Sequence, residues 1–265
     1  MDVVALMALA GSVDEEAPRL AADLGTTAYE AGLLLRSPPP VPLLRTDDRT
    51  RALELVNRLR ARRHDVVACE ASAVVSSDAM MPVRSFRIDE DAFVVWSTPT
   101  AAPTSVPWSD VVALVRAIHR SSSEHVEKSD ERKLSLGRAA MSGGFLMTKT
   151  VTKTAKVATE EREQVLYVFR QGGAPMLATL SRTRYEGLAS TLRPSQIENF
   201  NTLVKTLRER APHAVYDERL LAPRPGLERV RAGTAGSVSA SSSEAIDLLA
   251  HLIALAGTRA QRPYR

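Results

Sequence analysis

The sequence predicts an α+β protein: a small α/β domain, an antiparallel β domain closed by one helix, and a helical tail. Three observations carry this. Up to about residue 75, short apolar runs alternate with one-faced helical patterns. From residue 82 the texture turns to strand after strand, ending in a single amphipathic helix at about residue 221. Residues 222–243 are rich in Pro, Gly, Ala and Ser, the composition of a flexible linker, and residues 244–257 then form an apolar helix.

Residues 3–10 form a continuous apolar run, the mark of a buried strand. Ala8, Leu9 and Ala10 imitate a signal-peptide cleavage site, but Asp2 stands where a positive n-region belongs, so a first strand is expected. The helix that follows opens on Asp14, Glu15 and Glu16, placed where the positive end of its dipole favours acids, and stops at Gly25. A short second helix fits 27–36, because a residue before proline, here Ser37, leaves helical geometry. Residues 41–44 resume as an extended piece, and Thr46 or Asp47 is placed to cap the third helix. In it Ala52, Leu55, Val56 and Leu59 recur on one face, and residues 64–69 read as a strand.

Past residue 75, "SFRIDEDAFVVW" predicts a hairpin turning at Asp89, Glu90 and Asp91. "VPWSDVVALVRAIH" fits strand or helix equally well by periodicity, whereas "RKLSLGRAAM", "EQVLYVFR" and "PMLATLSRTRY" read as strands. In the closing helix Ser195 and Glu198 have capping-box spacing, with Ile197, Phe200, Leu203, Val204 and Leu207 on one face.

The chain's 265 residues suffice for two modest domains, and 44% hydrophobic with 25% charged residues is an ordinary globular composition. A single cysteine, Cys69, excludes an internal disulfide and a multi-cysteine zinc site and suits a reducing, cytoplasmic setting. No stretch reaches the ~20 apolar residues of a membrane span.

The segment "LGTTAYEAGLLLRSPPPVPLLRTDDRTRALELVNRLRARRHDVVAC", with the strand before it, resembles the C-terminal domain of the ribosomal stalk protein. That fold is shared with the adaptor that delivers N-degron substrates to the Clp protease. Glu30 and Ala31 stand at the family's Glu-Ala pair, Pro39 or Pro40 at its proline before the middle corner, and Ala52 to Leu59 in its last helix. The resemblance implies that Pro38 to Pro40 are an internal corner of residues 1–75, not a linker. Where the family has surface lysines this chain has Thr26, Thr27 and Tyr29, and Arg63, His64 and Asp65 replace its glycine turn. Translation-factor binding therefore does not carry over, nor does a degron pocket. The strands and closing helix of residues 82–221 look like a pleckstrin-homology-type barrel plugged by its terminal helix, a fold that does not by itself specify a role.

Motifs for chemistry are sparse. Five residues, not four, separate Gly137 from Gly143, and Phe145 stands where a phosphate loop needs lysine, so a strand with a glycine turn is expected. The five histidines form no metal-ligand spacing, and no Gly-x-Ser-x-Gly elbow occurs. No catalytic residue, cofactor or metal is expected. Cys69 reads as a buried, inert thiol.

Two features point to binding. Arg51, Arg58 and Arg62 lie near one line of the third helix, opposite its apolar face, where they are expected to meet water and to suit anionic lipid or nucleic acid. Lys149, Lys153 and Lys156 form a thinner basic strip. In the tail, Leu248, Leu249, Leu252, Ile253 and Leu255 leave only a narrow polar stripe of Glu244, Asp247 and His251. So apolar a helix is expected to bury itself against a second copy or a protein partner, ahead of docking on its own chain. The expected role is a non-enzymatic bacterial interaction or adaptor protein, with anionic-ligand binding through the arginines as the alternative.

Overall fold

The structure is a computed structural model. It describes the backbone of residues 1–134, 148–222 and 242–260, with side chains described outside 120–161, 242 and 260. The chain is α+β; its described residues form three sheets, none closed into a barrel, and a C-terminal helix. It forms two compact units: Met1–His119 with Glu163–Arg265, and Arg120–Arg162.

The first 70 residues follow the expected order: β1 (Asp2–Ala8), α1 (Val13–Leu24), α2 (Ala28–Leu35), β2 (Val41–Thr46), α3 (Arg49–Ala61) and β3 (Asp65–Glu70). β1 is the central strand, antiparallel to β2 and to β3. Its continuous apolar run is explained by burial on both faces. Val4 and Leu6 pack into a core with Leu20, Leu35, Leu55 and Leu59 from α1–α3. Val3, Ala5 and Met7 face the other way.

Local sequence sets the helix ends. Thr27 and Glu30 form a complete capping box at α2. α3 is capped by Asp48, whose carboxylate accepts from Arg51 N–H at 3.1 Å. Neither Thr46 nor Asp47 caps it, since Thr46 spends its hydroxyl oxygen accepting from Asp48 N–H. At its C-terminus His64 N–H donates to Leu59 O and Arg63 N–H to Arg60 O, a Schellman closure that puts Arg63 at φ 66°. Pro40 is buried between α2 and β2, so the proline run is an internal corner.

The β region does not form the expected barrel. β4 (Met81–Pro82), β8 (Val111–Leu134), β9 (Thr148–Arg170), β10 (Met176–Thr179) and β11 (Val215–Leu220) make an open sheet ordered β11-β8-β9-β10-β4. Its outer pairs, β10 with β4 and β11 with β8, are parallel, so the strands are not a simple antiparallel succession. β5 (Ser85–Ile88), β6 (Ala92–Trp96) and β7 (Thr104–Pro107) form a separate antiparallel sheet, including the hairpin expected at Asp89 to Asp91. The ambiguous segment at 106–119 resolves as a strand end, a short 3-10 turn at Trp108–Asp110, and β8.

Helix α4 (Gln196–Arg210) buries Phe200, Leu203, Val204 and Leu207 as expected, but Ile197 lies exposed. Ser195 is its N-cap without a side-chain cap bond. Asn199 instead ties the entry, accepting from Arg193 N–H at 2.7 Å and donating to Arg193 O at 2.8 Å.

The tail is α5 (Ser242–Ala260), longer than expected, and it packs on its own chain. One core joins Ile246, Leu248, Leu249, Leu252 and Ile253 to Val3, Ala5 and Met7 of the first sheet and to Ala113, Val115 and Tyr167 of the second. A helix apolar on nearly all sides is one buried on nearly all sides. The proposed linker and the glycine segment at Gly137 to Gly144 fall largely outside the described residues. In the second unit, Arg120–Arg162, the second part of β8 and the first part of β9 are extended strands. No helix of the described residues is long and apolar enough to cross a membrane.

Candidate functional site

Asp247 on α5 is only 2% exposed, and a buried carboxylate demands donors. Ser77 gives it two: its N–H reaches Oδ2 at 2.8 Å, and its hydroxyl donates to Oδ1. The Tyr167 hydroxyl donates to Oδ1 at 2.6 Å. His119 Nε2 lies 2.6 Å from the same tyrosine oxygen. Since the Tyr167 proton is committed to Asp247, His119 must donate, which fixes a proton on Nε2.

Serine, histidine and aspartate thus meet, but not as a nucleophile and its base. The Ser77 proton is directed to Asp247, while His119 engages Tyr167. Burial holds the His119 imidazole below its ordinary value, offset in part by the charges of Asp247, Glu163 and Asp78. Burial, with Asp247 beside it, pushes the Tyr167 hydroxyl well above its ordinary value, so it keeps its proton at neutral pH. The cluster is a latch holding α5. His213 is exposed, and the His125 side chain lies outside the described residues.

The arginines of α3 are not a shared open face. Arg62 is one-fifth exposed, with Nε 2.8 Å from Glu16 Oε1 and a guanidinium nitrogen 2.6 Å from Asp23 Oδ2. Glu16 also lies 3.2 Å from His64 Nε2, and neither Glu16 contact has hydrogen-bond geometry. His64 Nδ1 accepts from Ala10 N–H at 3.0 Å, which places the ring proton on Nε2, the nitrogen beside Glu16. Arg58 pairs with Asp23 at 3.2 Å and Glu54 at 3.4 Å. Arg58 and Arg62 therefore tie α3 to α1; Arg51 and Arg58 keep the exposed positions expected for them, and Arg62 is partly buried. The Lys149, Lys153 and Lys156 side chains lie outside the described ones. Leu248, Leu249, Leu252 and Ile253 are core residues of this chain, and Leu255 is half-buried. Cys69 is buried, and burial, with Asp2 nearby, raises its thiol.

An open groove of about 590 Å³ is lined by Arg84, Ser85, Trp96, Ser97, Thr98, Pro99, Arg182 and Arg184. Its walls are fixed by backbone bonds. Arg84 N–H donates to Trp96 O at 3.0 Å, and Arg184 N–H donates to Arg84 O at 2.8 Å. Between the two outward arginines, buried Thr183 turns inward and donates to Val83 O at 3.0 Å. Tyr185 packs edge-on against Phe86, and a Cβ on Gly187 would fall 2.0 Å from Phe86 O, so only glycine permits this approach.

Among the described residues no carboxylate lies at ion-pair distance from Arg84, Arg182 or Arg184. Neighbouring Arg87 differs, being bonded twice to Asp89 at 2.6 and 2.8 Å. Three arginines lining one groove, with no carboxylate at ion-pair distance among the described residues, make a positive site. No three His, Cys, Asp or Glu side chains among the described residues are grouped to hold a metal ion. Sequence reading passed over this groove, although the alternation Arg182, Thr183, Arg184 is the extended-chain signature of two arginines sharing one side.

No family model matches this chain, and no curated protein or solved structure matches it.

Proposed function

We propose that this protein is a non-enzymatic binding or adaptor protein that holds an anionic group in the groove of Arg84, Arg182 and Arg184. The observation that supports this is that three arginines without a carboxylate partner among the described residues line one groove, on a frame of backbone hydrogen bonds. Elsewhere the arginines that meet, Arg58 and Arg62, are neutralised by Asp23 and Glu16. The anionic-ligand reading is therefore kept and its site moved from α3 to the groove. Use of the Ser77, Tyr167 and Asp247 hydrogen bonds to fix α5 supports the non-enzymatic part. The element order of residues 2–70 supports a stalk-like first segment, and a single buried thiol fits a reducing, cytoplasmic setting.

Calorimetric titration of the full chain with phosphate, sulfate and citrate tests the reading. Binding that weakens as salt rises, and that is lost on Arg84→Gln, Arg182→Gln and Arg184→Gln together but kept on Arg51→Gln, is the expected result. Loss on Arg51→Gln alone would return the site to α3. No anion bound at low salt would end the reading.

A further inference from the structure

We propose that the groove takes a phosphate monoester whose organic part is a flat ring lying on Trp96. This rests on the anion-binding reading above and adds what the anion carries. A carboxylate has two oxygens and one charge, and a single guanidinium fork satisfies it. It would leave two of the three lining arginines unmatched. A phosphate monoester above its second ionisation, at about pH 6, carries nearly two charges and three strong acceptor oxygens. That matches three guanidinium groups.

The hydroxyls extend the match. Ser85, Ser97 and Thr98 line the same space, and Thr98 Oγ1 already accepts from Ala101 N–H, which leaves the Thr98 proton to donate. A bare phosphate ion leaves most of a groove of about 590 Å³ empty. That volume falls in the ~300–1,000 Å³ range of sites for small organic ligands. The apolar part of the lining is Trp96 with Pro99. Trp96 is half-buried, and its strand position is set by pairing with Ser85 across the β5–β6 ladder. Arg87 sits 5.9 Å from the indole centre and is held in place by Asp89, so the indole is braced. A planar ligand ring stacked on a fixed indole costs little ordering and gains dispersion and quadrupole attraction.

Calorimetry on the full chain, with inorganic phosphate, phenyl phosphate and cyclohexyl phosphate as probes, decides it. Phenyl phosphate is expected to bind about tenfold tighter than inorganic phosphate and tighter than its saturated analogue. Trp96→Leu should bring the two affinities to within about twofold while inorganic phosphate binds as before, and Trp96→Phe should keep most of the preference. Equal affinity of the wild-type chain for phenyl and inorganic phosphate would overturn the ring and leave the anion site standing. Binding to vesicles containing phosphatidylinositol phosphate, with none to the soluble monoesters, would assign the groove to a lipid surface and overturn the proposal. Failure of the wild-type chain to bind any of these would overturn the anion-binding reading with it.

Discussion

The Tyr167 hydroxyl donates to Asp247 Oδ1 at 2.6 Å, joining residues 80 positions apart and tying β9 to α5. Ser77, 170 positions from Asp247, completes the set. The carboxylate tolerates burial because three donors replace its water.

Asp247→Ala should therefore cost about 3 kcal/mol, because it orphans the Ser77 and Tyr167 donors together. Tyr167→Phe removes one donor and leaves two, so about 1.5 kcal/mol is expected. Urea denaturation of both variants measures the difference. Equal small losses would mean that the latch does not hold the helix.

Acid should weaken the same region. Burial lowers the His119 and His251 imidazoles below the ordinary 6.5, with His119 partly restored by Asp247, Glu163 and Asp78. The unfolded chain then binds protons that the folded chain refuses. Stability contributed by these groups is full above pH 6.5 and falls as the pH drops from there toward their lowered folded values. His119→Gln should flatten the decline between neutral and mildly acidic pH. A parallel decline in variant and wild type would remove His119 as its source.

The first segment was legible because its signals are local. Ala52, Leu55, Val56 and Leu59 repeat within one helix, and Gly25 ends another. The placement of α5 was not, because what receives it comes from Ser77, Tyr167 and the far face of β1. An apolar helix announces burial and says nothing of its host. Strand counting likewise gave strands without partners, and the parallel pairs β4 with β10 and β8 with β11 opened the expected barrel. The groove needed Val83 and Thr183 to meet across 100 positions before Arg84 and Arg184 became neighbours.

The two kinds of arginine on α3 should separate cleanly. Arg62→Gln leaves Glu16 buried without its cation and Asp23 with Arg58 alone, and should cost about 2 kcal/mol. Arg51→Gln changes an exposed side chain and should stay within about 0.5 kcal/mol. Thermal denaturation compares them. Equal effects would restore the open arginine face that the sequence suggested.

Arg63 holds a left-handed backbone at φ 66°, where glycine carries no side-chain penalty. Arg63→Gly should raise stability by about 1 kcal/mol, read as a higher urea midpoint at constant slope. A fall would mean that the Arg63 side chain stabilises the fold by more than its backbone strain costs.

Docking of α5 on its own chain can be tested at Gly257. A Cβ there would lie 2.4 Å from Val215 Cγ2 and 2.8 Å from Val215 Cβ, so α5 approaches β11 through the missing side chain. In an undocked helix Gly257→Ala is favourable by about 1 kcal/mol, because alanine is the better helix former. In the docked helix overpacking costs about 1–3 kcal/mol, and the net change should be a loss. Val215→Ala removes the two Cγ atoms and keeps Cβ, so it should recover part of that loss and not all. The double variant is then more stable than the sum of the single losses predicts, by about 1 kcal/mol, the sign of two side chains competing for one space. If Gly257→Ala instead stabilises the chain, and does so equally with Val215 or Ala at position 215, α5 rests somewhere other than β11.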